Sequence, residues 1–526
     1  MRYVYSWFGK KINLYALGAT FILFLVSFYS EKYFSVDIKS YNGYIGTKII
    51  YLCVAYLATC FFIYLFKNRK ESFFKKWFTN FFYVFIPLLA WLFFIWPGIF
   101  TWDEFWVYES ATQFIIENWQ SYITSYFYII SMYLFPSVGT IVFIQILFMS
   151  FVCSWLITKL ELYFFIKKIK FFIFLFLALW PAIIFSTLIT YRSTMLAIIE
   201  LLLVSLIYFM AREKELNNKL ILIGFLTVIL SVWRAEGIYH IIVVPLALLF
   251  IFKMERVKII SIFTFLVILF SLFLSNIYTW VKHDEFNEMK YELTAFVNPI
   301  SNILSDKNAN VDNVNLDIMN KVIDLEKTKE KPYFYEIPSF WDGAVREGFT
   351  SKDLSDFKKE YVKLVLKNID IFIAARTRTF VAASGFSSYG YYTNDYLGNY
   401  LKNKPDNKAA DLMMSKILNN PTSTSLREWA LKYLDYSKEK GNIVDKKIFF
   451  WDFIPLLIVL LFILIRLKSL SDPFIWMIIL CVGRVPILFI AQPGSYYMYY
   501  YPMFLSGTFV IVIYCLDKIK KRKTQY

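Results

Sequence analysis

The chain has 526 residues, of which 58% are hydrophobic and 21% are aromatic, and its mean hydropathy is +0.50. Soluble domains are about half apolar and seldom so aromatic, so this composition excludes an ordinary soluble enzyme and indicates a polytopic integral membrane protein. The net charge of +16 is compatible with nucleic-acid binding. However, Lys and Arg of membrane proteins collect in cytoplasmic loops, so we expect no nucleic-acid partner.

Twelve apolar runs approach or exceed the roughly 18 residues that a helix needs to cross a bilayer. The segment before the first run, MRYVYSWFGKK, lacks a small-residue cleavage site after it, so we interpret that run as a retained span rather than a signal peptide. The sequence therefore predicts an all-α polytopic membrane protein with about twelve transmembrane helices. The predicted spans are roughly 12–29, 46–66, 79–97, 137–158, 171–189, 193–210, 219–232, 238–252, 258–280, 448–466, 474–491 and 496–516.

Charged segments between these runs predict how the chain is oriented. Three strongly basic segments, KNRKESFFKK, KLELYFFIKKIK and KIKKRK, follow the second, fourth and last runs, and the milder AREKELNNK and KMERVK follow the sixth and eighth. With twelve spans and both termini inside, all five segments lie on the cytoplasmic side, where Lys and Arg are enriched. We therefore predict a multi-pass protein of the cell membrane, in contact with membrane lipids, with both termini cytoplasmic.

The outer side is predicted to carry two long segments. Residues 97–136 contain no Lys or Arg, and residues 281–447 are hydrophilic and long enough for a small domain. Within the latter, DLSDFKKEYVKLVLKNIDIFIAARTRTF has the apolar spacing of one long amphipathic helix, and DLMMSKILNN and LREWALKYLDYSKEK predict two more. The predicted organisation is a membrane domain of nine spans, a mainly helical extracytoplasmic domain, and three final spans with a basic tail, over 1–280, 281–447 and 448–526.

The first outer segment begins with WPGIFTWDEFWVYESA, residues 96–111. Pro97 and Gly98 end the third span, and TWDE is a capping box with Thr101 as the N-cap and Glu104 three residues later. The residues that follow are amphipathic and predict a helix in the membrane interface. The next stretch, SYITSYFYIISMYLF, is apolar but shorter than the roughly 20 residues of a full span, so it predicts a second interfacial or re-entrant helix.

The adjacent carboxylates of Asp103 and Glu104 allow two interpretations. In the structural one, Glu104 caps the helix and Asp103 lies in its first turn, where the helix dipole favours an anion. In the catalytic one, a carboxylate that stays ionised at a helix N-terminus accepts a proton from an attacking hydroxyl. Adjacent residues do not share a helix face, so one of the two is the better candidate, and we favour Asp103.

This arrangement resembles the GT-C superfamily of integral membrane glycosyltransferases. The resemblance rests on TWDE in an outer loop, on the paired helices predicted within 105–135, and on the long outer segment 281–447 before the last spans. It implies an inverting transfer of a sugar from a polyprenyl phosphate or diphosphate donor to a glycan or lipid acceptor, with the acidic residue as base. Glu104 is then a second base, a metal ligand or the helix cap. A divalent cation is compatible with these carboxylates, although no complete ligand set is visible in the sequence.

The chain also departs from the bacterial multispan proteins that it resembles. Those proteins often carry a His-Pro pair in the helix after the acidic loop, where this sequence has WQSYITSY. In addition, the acidic loop follows the third predicted span rather than the first. The role of that histidine is therefore not transferred to this chain, and two extra N-terminal spans are expected.

Two predicted outer turns carry further charged residues. Tyr191 and Arg192 lie at one turn, and Arg234 and Glu236 lie at the next. An arginine suits a phosphate or diphosphate because its planar guanidinium gives two parallel hydrogen bonds. The alternative is that both arginines snorkel to the interface and that Arg234 and Glu236 only pair with each other.

Other candidate residues have a simple structural interpretation. Arg376 and Arg378 end the long outer helix, where we expect a solvated face, with contact to a lipid phosphate as the alternative. Tyr497 is one of five tyrosines in PGSYYMYYYP, which we interpret as an interfacial aromatic belt, with sugar stacking as the alternative. His240 and His283 are far apart and are expected to be structural. The five cysteines lie in apolar runs without a C-x-x-C spacing, so neither a disulfide framework nor a metal site is predicted.

Glu200 and Arg484 are predicted near the bilayer midplane, where isolated charges are costly, so we expect them to pair or to face a polar cavity. They support a second class of function, a transporter or lipid flippase, although the sequence shows no internal repeat. A polysaccharide repeat-unit polymerase and a non-catalytic envelope scaffold are further alternatives. Convergence of Asp103, Arg192 and Arg234 at one outward site favours the enzyme, whereas a gated midplane site favours the transporter.

Overall fold

A computed structural model describes residues 10–116, 121–214, 219–252, 257–277, 285–333, 336–385, 395–403, 408–415, 419–434 and 448–523. Within these ranges the chain is helical and contains no β-strand, and its extended contacts are two isolated bridges. The predicted all-α class is therefore confirmed. The prediction for His283 lies outside the described residues.

The helices before the hydrophilic segment come in chain order from the N-terminal side. They are α1 (Lys10–Phe34), α2 (Tyr41–Asn68), α3 (Ser72–Phe94), α4 (Trp102–Thr112), α5 (Tyr122–Leu134), α6 (Val138–Tyr163), α7 (Lys167–Leu179), α8 (Pro181–Leu188), α9 (Arg192–Glu213), α10 (Lys219–Trp233), α11 (His240–Phe252) and α12 (Val257–Ile277). A 3₁₀ turn, Ala235–Tyr239, leads directly into α11.

The remaining helices belong to the hydrophilic segment and to the C-terminal part. In the hydrophilic segment they are α13 (Glu285–Glu292), α14 (Thr294–Ser305), α15 (Leu316–Asn320), α16 (Leu325–Lys329), α17 (Ser351–Lys367), α18 (Ile369–Ala383), α19 (Tyr396–Asn403), α20 (Lys408–Ser415) and α21 (Thr424–Leu434). In the C-terminal part they are α22 (Ile448–Trp451), α23 (Ile454–Arg466), α24 (Pro473–Val482), α25 (Arg484–Ala491) and α26 (Tyr501–Lys523).

Eight helical stretches of the described chain are long and apolar enough to cross a membrane. They are α1, α2, α3, α6, α9, α11 with its 3₁₀ turn, α24 with α25, and α26. The pair α7 and α8 bends by 54° at Trp180 and Pro181. Pro181 lacks an N–H and clashes with the preceding turn, so it begins a new helix instead of extending α7. Three shorter apolar helices, α10, α12 and α23, complete the set.

The apolar helices pack around α9. In α9, 83% of the most apolar window is buried, compared with 22% in α1 and in α2, so α9 is central and the first two helices are peripheral. Helix α9 packs against α26 and α10, and α3 packs against α6. One continuous hydrophobic core links these helices.

The two short helices predicted in the acidic loop are present as α4 and α5. Helix α4 begins at the N-cap Thr101 with the predicted capping box and ends at Thr112. Helix α5 has 13 residues, fewer than the roughly 20 needed for a span. Both pack against each other and against neighbouring helices, so their inner faces are buried.

The hydrophilic segment divides between two hydrophobic cores. Residues from 293 to 372 share a core of their own, whereas buried residues of α19, α20 and α21 belong to the core of the apolar helices. The prediction of one long helix over 353–380 is wrong, because α17 ends and α18 begins at Asn368. The Asn368 side chain accepts a hydrogen bond from the Asn310 N–H at 2.7 Å and donates one to the Asn310 carbonyl at 2.8 Å. This tertiary contact interrupts the helix.

Candidate functional site

The capping box at the start of α4 determines the state of Glu104. The Thr101 N–H donates to Glu104 Oε2 at 2.9 Å, and the Thr101 hydroxyl also bonds this oxygen. Glu104 is 3% exposed. Burial and the negative charge of Asp103 together raise its pKa to about 8, and burial is the larger cause. At neutral pH Glu104 is therefore mostly protonated.

Asp103 precedes Glu104 in the first turn of α4 and is half-buried. Its charge acts on tyrosines from three other parts of the chain. Burial raises the pKa of Tyr128 and of Tyr191 well above the usual value, and negative charge on the pair of Asp103 and Glu104 raises both further. Burial is also the main cause of the raised pKa of Tyr499, where Asp103 again contributes. Asp103 is thus the more exposed carboxylate of the pair, and its charge acts on residues of all three segments.

Two arginines belong to the same electrostatic cluster. Arg192, the first residue of α9, interacts electrostatically with Arg234, Glu236, Tyr499 and Asp103. This interaction is what links the acidic loop to the two outer turns identified in the sequence. The candidate base and both candidate phosphate-binding arginines therefore lie in one cluster, although they come from three segments of the chain.

Arg234 is buried at the centre of this cluster, with 3% of its surface exposed. Its Nε lies 2.5 Å from Glu236 Oε1, which confirms the predicted local pairing, and its guanidinium lies 4.9 Å from the centre of the Tyr499 ring. Arg234 Nη1 has no hydrogen-bond partner among the described residues. Buried polar groups normally have a hydrogen-bond partner, so this N–H group is available to donate to an anionic ligand.

The backbone before α4 explains why the cluster assembles. Gly98 has φ +131°, a conformation that L side chains rarely adopt, and the Ile99 N–H donates to the Leu188 carbonyl at 3.0 Å. This bond joins the acidic loop to the end of α8, immediately before the turn that carries Tyr191 and Arg192. The Thr101 side chain also acts on the Tyr191 hydroxyl and lowers its pKa, against the larger effect of burial.

Two residues that the sequence analysis did not identify hold the other side of the loop. Arg427 of α21 donates to the carbonyls of Ile95, at 2.6 Å, and Trp96, at 3.2 Å, and to Asp395 Oδ2 at 2.6 Å. The Phe100 N–H donates to Asp395 Oδ1 at 3.4 Å. Arg427 is 2% exposed and Asp395 is 7% exposed. We call these two residues the loop clasp, because they attach the hydrophilic segment to the acidic loop.

A sequence signal for the clasp does exist. Arg427 lies three and seven residues before Ala430 and Leu434, and all three are buried on one face of α21. An arginine on the apolar face of an amphipathic helix indicates a buried partner. The signal does not indicate that the partner is the acidic loop.

Tyr497 lies inside the protein and not in an interfacial belt. Tyr497, Tyr500 and Tyr501 are each at most 2% exposed, so the belt interpretation is wrong for these three residues. Tyr497 and Tyr191 line the same small cavity beside the cluster, with Met498 also in its wall. Tyr497 therefore contacts the edge of the candidate site.

Arg376 is not on a solvated face, so that prediction is wrong. Its side chain is buried and donates to the carbonyls of Phe489, at 2.6 Å, and Gln492, at 2.7 Å. These carbonyls end α25, so Arg376 caps that helix and stabilises the contact between α18 and α25. Arg378, two residues later, is exposed as predicted. The structure gives no contact between either arginine and the cluster around Asp103.

The predicted pairing of Glu200 and Arg484 is confirmed. Arg484 Nη2 bonds Glu200 Oε2, and both residues are buried. His240 Nε2 lies 3.7 Å from the same oxygen, and His240 Nδ1 bonds the Gly237 carbonyl at 2.8 Å. Glu200 Oε1, Arg484 Nη1 and His240 Nε2 have no hydrogen-bond partner in the described ranges. Because Gly237 directly follows Glu236, this second polar cluster adjoins the one around Asp103 along the chain.

Neither a disulfide nor a metal cluster appears in the described part of the chain. All five cysteines are free thiols. The described residues contain no group of three or more His, Cys, Asp or Glu side chains placed to hold a metal ion. Asp103 and Glu104 are neighbours, but the capping bonds occupy Glu104.

The chain matches no protein-family model, no curated protein sequence and no solved structure. Functional inference therefore starts from the geometry and charge of the two polar clusters.

Proposed function

We propose that this protein is a GT-C-like glycosyltransferase that moves a sugar from a polyprenyl phosphate or diphosphate donor to a cell-envelope glycan or lipid. The observation that supports it is the electrostatic interaction of Asp103 with Arg192, which in turn interacts with Arg234. Transfer from a phosphate-linked sugar needs a base for the acceptor hydroxyl and cations for the leaving phosphate. The resemblance of the acidic loop to the GT-C superfamily points in the same direction.

In the proposed reaction an acceptor hydroxyl attacks the anomeric carbon of the donor sugar. The bond between that carbon and the phosphate oxygen breaks, and its electron pair leaves with the phosphate. Asp103 takes the proton of the attacking hydroxyl. Arg192 and Arg234 stabilise the charge that develops on the phosphate, and the unsatisfied Nη1 of Arg234 offers a donor for it. Attack from the face opposite the phosphate inverts the anomeric centre.

Glu104 has a positioning role in this proposal. It is mostly protonated at neutral pH because burial raises its pKa to about 8. It therefore places no second full negative charge beside Asp103, and its bonds to Thr101 hold the start of α4. A divalent cation at Asp103 remains compatible with the proposal, but the chemistry above uses only residues of this chain.

We also propose twelve membrane crossings with both termini in the cytoplasm. Eight candidate spans, the bent pair α7 and α8, and three shorter apolar helices add up to this number. With this topology the basic segments between helices lie inside, and the cluster around Asp103 lies at the outer ends of its helices. A lipid-linked donor then reaches the site from the outer leaflet.

The test is the replacement Asp103→Asn in the native host, at matched levels of membrane-inserted protein. Loss of a general base lowers a rate by about 10²–10⁴-fold, so we expect one sugar to disappear from the surface glycans. Asp370→Asn is the matched control, because Asp370 is an exposed acid in the first turn of the outer helix α18. Unchanged glycans in the Asp103 variant would refute the proposal. Loss of polymer length without loss of a sugar would instead indicate a repeat-unit polymerase.

The cluster of Glu200, Arg484 and His240 favours a second candidate function, a transporter or lipid flippase. Unsatisfied buried polar atoms within a membrane domain are a feature of proton and substrate pathways. Glu200→Gln distinguishes the two functions at matched protein levels. A transferase retains its glycan product in this variant, whereas a transporter that moves protons through Glu200 loses transport.

A further inference from the structure

The hydrophilic segment contributes an aromatic side chain to the surface next to Asp103. Tyr396 begins α19, and its N–H donates to the Phe100 carbonyl at 2.8 Å, which fixes it over the start of α4. The ring of Tyr396 lies 5.3 Å from that of Trp102, at 58° between the planes. The indole of Trp102 also lowers the pKa of the Tyr396 hydroxyl, although burial is the larger effect and raises that pKa overall.

This aromatic pair is open to a ligand. Trp102 is 42% exposed, although its neighbours Thr101 and Phe105 are buried. Tyr396 is half-buried. A packed tyrosine and tryptophan that leave this much ring surface uncovered form a platform on which a flat apolar face can stack.

Two carboxylates lie at the edge of the platform. The charges of Asp103 and of Glu336, which comes from a separate part of the hydrophilic segment, both act on the Tyr396 hydroxyl. Carboxylates accept hydrogen bonds from hydroxyl groups, and aromatic rings pack against the C–H faces of pyranose rings. Aromatic rings bordered by acceptors suit a carbohydrate better than an acyl chain, which has no hydroxyl groups to donate.

The platform and the arginines contact Asp103 from different segments. Arg192 begins α9 and Arg234 precedes the 3₁₀ turn before α11, whereas Tyr396 and Glu336 belong to the hydrophilic segment. In this transfer the anomeric carbon lies between the leaving phosphate and the attacking hydroxyl, and the base lies beside the hydroxyl. The arrangement therefore separates a phosphate side from a sugar side, with Asp103 at the junction.

We infer that Trp102 and Tyr396, with Glu336 at their edge, form the acceptor subsite and that the acceptor presents a carbohydrate rather than a lipid to Asp103. The assignment of this surface as an acceptor subsite rests on the proposed glycosyl transfer. Binding of a carbohydrate at the platform, however, is measurable without any transfer.

The experiment applies labelled full-length protein in lipid nanodiscs to an array of bacterial surface oligosaccharides, with no lipid-linked donor present. We expect the wild type to bind a subset of glycans and Trp102→Ala to weaken that binding at least tenfold. Trp106→Ala is the matched control, because Trp106 lies one turn later on α4, is 56% exposed and is outside the platform. It should bind as the wild type does. Trp102→Phe, which keeps a ring, should retain most of the binding and shows that the fold is intact.

Two results would overturn the inference: no glycan binds the wild type, or Trp102→Ala and Tyr396→Ala bind as strongly as the wild type. If Trp102→Ala does not fold, Tyr396→Ala alone decides the question. Failure of the proposed function has a different signature. In that case Asp103→Asn leaves the surface glycans of the host unchanged while Trp102-dependent binding persists on the array.

Discussion

Replacing Arg427 by Met should release the acidic loop from the hydrophilic segment. The substitution keeps an unbranched apolar side chain but removes the guanidinium. Asp395 would then be a buried carboxylate without its cation, and the carbonyls of Ile95 and Trp96 would lose their shared donor. Exposed ion pairs contribute about 0–1 kcal/mol, whereas removing one partner of a buried pair costs about 3–5 kcal/mol. The second figure applies because both residues are more than nine-tenths buried.

Hydrogen–deuterium exchange of the peptide over 99–105 measures this effect locally. Its amides include those of Ile99, Phe100 and Thr101, which are all hydrogen-bonded in the intact loop. A loss of about 3 kcal/mol in opening free energy speeds exchange about 100-fold, since 1.4 kcal/mol corresponds to a factor of ten. The control is Arg378→Met, which removes an exposed arginine. It should change the opening free energy of this peptide by less than about 0.5 kcal/mol.

The double variant Arg427→Met, Asp395→Leu tests whether the loss comes from the unpaired carboxylate. Removing both charges should restore more than half of the protection in the peptide over 99–105, because no buried charge is left alone. Unaltered exchange in the single Arg427 variant would show that the clasp does not hold the loop, and the reasoning above would be wrong.

Three further predictions concern stability, each measured by thermal unfolding in detergent. Because burial raises the pKa of Glu104 from 4.5 to about 8, the folded state retains a proton that the unfolded state releases, so stability falls as pH rises between these values. Glu104→Gln keeps a capping-box residue and removes the titration, and it should therefore flatten the pH dependence; an unchanged slope would contradict this. Gly98→Ala should cost about 1–3 kcal/mol from backbone strain alone, and the added Cβ would also lie 2.6 Å from Val142 Cγ2; a wild-type melting temperature would argue against it. Arg484→Leu should cost about 3–5 kcal/mol, and the double variant with Glu200→Leu should recover most of it, whereas additive losses would mean that the two residues do not act as a pair.

The sequence by itself determined the features that depend on short-range signals or on a strong energetic penalty. The apolar runs predicted the class of protein, because a hydrocarbon interior requires helices with satisfied backbones. The capping box predicted the start of α4, since Thr101 and Glu104 are three residues apart and meet within one helical turn. The pairing of Glu200 with Arg484 was also predictable, because the cost of an isolated charge at the midplane leaves few other arrangements.

The tertiary structure alone decided the features that depend on contacts between distant segments. Arg376 and Arg378 look alike in the sequence, yet Arg376 is buried against the end of α25 and Arg378 is exposed. Asn368 interrupts a continuous helical pattern because it bonds Asn310, which periodicity cannot reveal. The neutral state of Glu104 likewise follows from burial by neighbouring helices, which outweighs the hydrogen bonds from Thr101 in setting its pKa.

The loop clasp shows the physical reason for this division. Arg427 bonds a carbonyl 332 residues earlier in the chain, and the residues between them carry no local signal of that contact. Hydrophobic periodicity and capping act over one or two helical turns, so they can be recognised from residues that are close in the sequence. Which buried arginine meets which carbonyl depends on how the helices pack, and only the folded chain brings Asp103, Arg192, Arg234 and Tyr396 to one place.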